Sequence, residues 1–142
     1  MKLMKKERRS SHRTQWTAQF AVASELCKRG YEVAFTMGNH PSVDLMVHSP
    51  NQEAFLIDVK GLYKKNYWAI STKKEKPNLF YVLAFVPDHD HNRYFILTQA
   101  QVNSEVEADI AVARSRNASE NFTGITWKRA EQYEGAWQVL PK

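Results

Sequence analysis

A chain of 142 residues with one cysteine has room for a single sizeable hydrophobic core, and it excludes both an intrachain disulfide and a cysteine-rich metal site. At 43% hydrophobic and 25% charged residues the composition matches globular proteins rather than disordered or membrane classes, and a formal charge of +5 favours an anionic partner. No apolar stretch approaches a membrane span and the N-terminus lacks the apolar centre of a secretory signal, so the expectation is a cytoplasmic protein with no membrane partner.

Residues 1–13 form a basic arm carrying Lys2, Lys5, Lys6, Arg8, Arg9 and Arg13, a solvated segment or a set of phosphate contacts; residues 14–142 read as one domain. From about Thr14 to Arg29 the apolar residues recur with helical spacing, and Gly30 is placed to end the helix in a left-handed conformation. On a helical wheel Trp16, Phe20, Ala23, Leu26 and Cys27 share one side, with Gln19 inside that stripe and Glu25 off to its flank. A polar side chain on a buried face needs a partner, which makes Gln19 either a satisfied core amide or part of a site.

"YEVAFT" (31–36) reads as a strand and "MGNHPS" as a loop punctuated by Gly38, Asn39 and Pro41. The alternating "VDLMVHS" and the mostly apolar "AFLIDVKG" are close enough to pair as a hairpin around "SPNQE". With the turn centred on Asn51, Asp44 lies across from Asp58, Cβ atoms about 4.5–5.5 Å apart. Next comes "LYKKNYWAISTKKEKPN", dense in lysine, where Lys64, Lys65, Lys73, Lys74 and Lys76 with Tyr63, Tyr67 and Trp68 form either a phosphate-tracking surface or a solvated face. "LFYVLAFV" (79–86) and "RYFILT" (93–98) are further strands, "QAQVNSEVEADIAVARSRNA" is a second long helix, and Trp127, Tyr133 and Trp137 pack a C-terminal segment onto the domain.

The chemistry concentrates in "FLIDVKG", where the two-residue period of a strand sends Asp58 and Lys60 to the same face. Two carboxylates facing each other repel, and a hard divalent cation compensates because Mg²⁺ and Mn²⁺ take carboxylate, carbonyl and water oxygens. Lys60 is placed to neutralise part of that charge or to orient and deprotonate an attacking water. Such a set is suited to adding water to a phosphodiester. Taken alone, Asp-x-Lys is also a common chance pattern. His89, Asp90 and His91, in a loop, and His40 and His48, flanking Asp44, are weaker metal or assisting candidates.

In "VASELCKRGYEVAFTMGNHPSVD" and "IDVKG", with weaker similarity in "NLFYVLAFVP", "RYFILTQAQVN" and "GITWK", the chain resembles the PD-(D/E)XK nuclease superfamily, in particular small bacterial restriction-endonuclease-like and Holliday-junction-resolvase-like proteins. The resemblance implies that Asp44 and Asp58 are the two acids and Lys60 the lysine. It implies that the Val59 carbonyl joins the acids on Mg²⁺ or Mn²⁺, and that Gln19 occupies the place of the family's helix-one glutamate. The expectation is therefore an α/β fold with a restriction-endonuclease-like core, a mixed sheet of four or five strands flanked by helices in the order α-β-β-β-(α)-β-β-α. Its function would be metal-dependent hydrolysis of DNA, with a homodimer or partner required for double-strand cutting. The rivals are a nucleic-acid-binding module of the same fold that lost turnover through Gln19, and a structural interaction domain whose carboxylates are salt-bridged to Lys60.

Overall fold

The computed structural model describes residues 9–142; Lys2, Lys5, Lys6 and Arg8 of the basic arm lie outside the described residues. The first helix, α1, runs Ser11–Lys28, so the end of the expected arm is helical. Ser10 caps it by accepting from the Arg13 N–H at 3.1 Å, and Gly30, at φ +91°, ends it while the Tyr31 N–H returns to Leu26 O at 3.1 Å. Arg9 is not free in solvent: its guanidinium donates to Val86 O at 2.6 Å and lies 3.4 Å from Asp88.

After α1 come β1 (Glu32–Phe35), β2 (Leu45–His48), β3 (Ala54–Leu62), β4 (Tyr67–Ala69), β5 (Leu79–Phe85) and β6 (Arg93–Thr98). They are followed by α2 (Gln99–Ser115), β7 (Gly124–Thr126) and α3 (Trp127–Ala130). The fold is α/β. Five strands form a mixed sheet in the order β1-β2-β3-β5-β6 whose β3–β5 pair alone is parallel, and β4 and β7 make a small antiparallel sheet. No helix bridges β3 to β5. The lysine-rich crossover instead contains β4 and an extended segment, because Trp68 in that run is a core residue, 1% exposed, stacked on Trp127 and donating its Nε1–H to Ala84 O at 3.3 Å.

One face of the large sheet packs Leu45, Val47, Ile57, Val59 and Val82 against Ala18, Val22 and Leu26 of α1. The other packs Tyr81, Leu83, Phe85 and Leu97 against Val102 and Val106 of α2 and against Trp68 and Ile125 of the small sheet. β5 serves both layers, which is why its sequence is a continuous apolar run rather than an alternating one. α2 begins with a reciprocal cap: Thr98 Oγ1 accepts from the Gln101 N–H at 3.1 Å and Gln101 Oε1 accepts from the Thr98 N–H at 2.9 Å. Among the described residues no helix is long and apolar enough to cross a membrane.

The buried stripe of α1 is rotated from the wheel reading. Thr14, Ala18, Gln19, Val22, Ala23 and Leu26 face inward, whereas Phe20 is 58% exposed and Cys27 is exposed. The wheel weighted large aromatics; the helix buries its small residues, because α1 lies close on β3. A Cβ on Gly61 would stand 2.9 Å from Thr14 O and 3.0 Å from the Ala18 Cβ, a spacing that only glycine permits. Gly61→Ala is expected to push the helix off the sheet and to lower stability by about 1–3 kcal/mol in urea unfolding. An unchanged midpoint would show that the contact is not tight.

Candidate functional site

The site arises where β2 leaves β3. β2 pairs with β3 only over Ala54–Ile57, and beyond Ile57 that edge of β3 has no strand neighbour although its backbone is buried under α1. Buried N–H and C=O groups must find partners, and side chains supply them. Asp44 Oδ2 accepts from the Val59 N–H at 2.7 Å, Gln15 Nε2 donates to Val59 O at 2.7 Å, and Gln15 Oε1 accepts from the Gly61 N–H at 3.2 Å. One turn along α1, Gln19 Nε2 donates to Asp44 Oδ1 at 3.2 Å. Gln19 is thus both a satisfied amide and a contact of the acid that the sequence singled out.

The hairpin turn is fixed by Ser49 and Glu53, the Ser49 N–H donating to Glu53 O at 2.8 Å and the Glu53 N–H to Ser49 Oγ at 3.0 Å. The register it sets is centred on Asn51 as expected and pairs Leu45 with Ile57, but the ladder stops there, one residue short of Asp44 and Asp58. At that point the Asp44 N–H donates to Ile57 O at 3.0 Å instead of to its own register partner, a bulge-like pinch that turns the Asp44 carboxylate onto the open edge of β3.

Asp58 is 2% exposed. Its Oδ1 is 3.4 Å from the Lys60 ammonium, while its Oδ2 is buried with no hydrogen-bond partner among the described residues. Burial pushes the Asp58 carboxyl up to about 6, with the Asp44 charge adding to the rise and the Lys60 ammonium opposing it. Burial likewise raises Asp44, against the Val59 N–H, Lys60 and Asp58 itself. The same Asp58 charge, after burial, helps hold the Tyr81 phenol up to about 12.

A second ammonium reaches the pair. Lys73 favours the ionised form of both carboxylates, and its Nζ donates to Ser42 Oγ, two residues before Asp44, at 2.6 Å. Two amides of α2 hold its segment: Asn103 Nδ2 donates to Lys73 O at 2.8 Å, and Gln99 accepts from the Lys76 N–H at 2.6 Å and donates to Lys74 O at 3.1 Å. Lys64 and Lys65 project from the turn after β3, the first over Tyr63 at 5.5 Å and the second over Trp127 at 5.4 Å from the ring centroids. Lys74 is exposed on the same extended segment as Lys73. Glu25 pairs instead with Lys28 and Arg29 on its own helix. His40, His48, His89 and His91 are exposed, and among the described residues no group of three or more His, Cys, Asp or Glu side chains converges.

Gln15 is the site residue that sequence reasoning passed over. Its signal was present, since Gln15 and Gln19 stand at i and i+4 and share a helix face, but an amide that pairs with backbone leaves no charge pattern to detect. Set against known proteins, the chain matches no family model, no curated protein and no solved structure.

Asp58 gives the fold a definite pH dependence. The unfolded carboxyl ionises near 3.8 and the folded one near 6, so between those values the folded state holds the extra proton. The contribution of Asp58 to stability is greatest below the lower value, falls as pH rises through the window, and is lost above about pH 6. Asp58→Asn should therefore melt above the parent at about pH 8 and lose most of that advantage near pH 4. A variant that melts below the parent at the higher pH would show that the Lys60 contact outweighs the buried charge.

Proposed function

We propose that the protein hydrolyses DNA phosphodiester bonds with a divalent cation, Mg²⁺ or Mn²⁺, held between Asp44 and Asp58. The observation that carries this reading is the buried, partnerless Oδ2 of Asp58 beside a second carboxylate. A buried carboxylate oxygen with no hydrogen-bond partner calls for one, and hard oxygen donors suit these cations. The order of elements around the pair and the resemblance of its motifs to PD-(D/E)XK nucleases support the same reading.

When bound, the cation supplies charge for the phosphoryl and leaving oxygens and lowers the pKa of the water that attacks. The chain's own residues do the rest. Asp44 is held by the Val59 N–H and by Gln19, so its carboxylate is fixed before any substrate arrives. Lys60, tied to Asp58 Oδ1, presents its remaining protons to the attacking water or a phosphate oxygen and keeps the acid pair from repelling the strand. The Val59 carbonyl would be shared with the Gln15 amide. Lys64, Lys65, Lys73 and Lys74 are the proposed phosphate contacts, and cutting both strands would take a second copy of the chain.

Two observations favour a second reading, a nucleic-acid-binding module without turnover. Gln19 offers an amide where a third acid would strengthen the cation site, and Gln15 already engages the Val59 oxygen. Nicking of supercoiled plasmid in Mg²⁺ and in Mn²⁺ separates the two. The nuclease reading expects nicking by the parent and none above background by Asp58→Ala or Lys60→Ala; absence of nicking by a protein that binds DNA selects the second reading.

Calorimetric titration of Mg²⁺ into Gln19→Glu tests the amide. On the proposed geometry the added charge tightens Mg²⁺ binding by tenfold or more, equivalent to about 1.4 kcal/mol. A variant that loses thermal stability and gains no affinity would make Gln19 a core amide only.

A further inference from the structure

An aromatic row runs from α1 onto β1, with Phe35 packed at the edge of the core and Phe20 left largely outside it. His12 meets Trp16 edge-on at 6.2 Å, Trp16 stacks on Phe20 at 5.6 Å with the ring planes 26° apart, and Phe20 meets Phe35 at 5.4 Å. Phe20 stands 58% exposed, and Trp16 and Phe35 are half-buried. A large aromatic surface left in water on a helix whose inner face is lined with alanine, valine and leucine calls for an occupant.

The row runs along the elements that hold the acid pair. Phe20 follows Gln19, which holds Asp44, and Phe35 pairs in register with Leu45, the residue after Asp44. At the other end His12 and Lys60 line the same cleft of about 400 Å³, with Gln15 and Gly61 in its wall. The surroundings suit an anion that carries flat rings: Arg13 lies exposed beside the row, and α1 has no carboxylate from Ser11 up to Glu25.

We propose that Trp16, Phe20 and Phe35 form a stacking platform for unpaired nucleobases, so that the strand entering the site is single-stranded or locally opened rather than continuous duplex. Bases inside a duplex already stack on each other at about 3.4 Å and have no free faces, whereas an unpaired base can lay its face against the exposed Phe20 ring at the centre of the row. Stacking on aromatic side chains is tolerant of sequence, so the platform selects strand state and not base identity. The proposal deepens the nuclease reading by naming its substrate class and rests on that reading for what happens at the acid pair.

The test measures fluorescence anisotropy of labelled oligothymidylate, of an abasic strand of equal length and of a duplex, with the full chain in EDTA so that cleavage cannot intervene. Oligothymidylate should bind more tightly than duplex. Phe20→Ala and Phe20→Leu should each weaken its binding by about tenfold and leave the abasic strand unaffected, while Phe20→Tyr restores it. Phe20 is exposed, so these variants keep the fold, which thermal melts verify. Equal losses on both strands, no loss on either, or undiminished oligothymidylate binding by the leucine variant would overturn the platform. So would sedimentation showing a self-associated parent that Phe20→Ala dissociates without changing DNA binding, because the row would then be an interface between copies. Plasmid nicking is scored apart: base-dependent binding without nicking keeps the platform and removes the nuclease, and nicking with base-independent binding does the reverse.

Discussion

Everything at the site follows from one unfinished strand pair. β3 is nine residues long, but β2 accompanies it over only four, and the remaining edge is covered by a helix that has no backbone hydrogen bonds to offer sideways. The Val59 N–H, the Val59 carbonyl and the Gly61 N–H therefore take partners from side chains, Asp44 and Gln15, in place of the missing strand. Each unsatisfied group would cost about 1–3 kcal/mol. This constraint draws Asp44 inward, brings α1 down on Gly61, and sets Gln19 within reach of the acid. The residues proposed for chemistry are held in place by the same bonds that complete the sheet.

On the nuclease reading, that arrangement sets stability against function. Burial raises both carboxyls, the Asp44 charge lifts Asp58 further, and the ammonium groups of Lys60 and Lys73 offset part of the rise without removing it. A sequence selected for stability alone would fill the place of Asp58 with an apolar residue, since its neighbours along β3, Ile57 and Val59, are fully buried and β5 beside it is apolar throughout. A buried acid in the middle of a sheet breaks the local rules, and the nuclease reading would give that departure a purpose.

Much of this was legible in the sequence, for identifiable reasons. Alternation along a strand is strict, so Asp58 and Lys60 had to share a face, and a short turn centred on Asn51 left one register for the hairpin, which the structure has as far as Leu45 and Ile57. The α/β class followed from the order of apolar runs. The helix wheel failed at Trp16 and Phe20 because periodicity locates an apolar stripe without saying which flank meets the sheet, and here close approach to β3 admitted alanine and excluded rings. Trp68 was misjudged for the opposite reason. Its lysine-rich surroundings hid a three-residue strand whose middle residue is core, and a strand that short has no period to read. Gln15 shares a helix face with Gln19, but its role became clear only once the open edge of β3 was known.

The charges around the acid pair also bear on how a cation and a nucleic acid would arrive. Asp44 and Asp58 are already faced by two ammoniums, that of Lys60 at 3.4 Å from Asp58 and that of Lys73, which is anchored on Ser42 and through its backbone to α2. The pair is close to electrically balanced, so a divalent cation entering alone brings excess positive charge and must compete with Lys60 for Asp58. A phosphate arriving with it restores the balance and gives the displaced ammonium a new partner. On the nuclease reading, cation and strand bind each other's complex more tightly than either binds the free protein, and the amides at Gln15 and Gln19 accentuate this by adding no negative charge of their own. Weak affinity for Mg²⁺ in the absence of DNA is then a property of a site that is completed by its substrate.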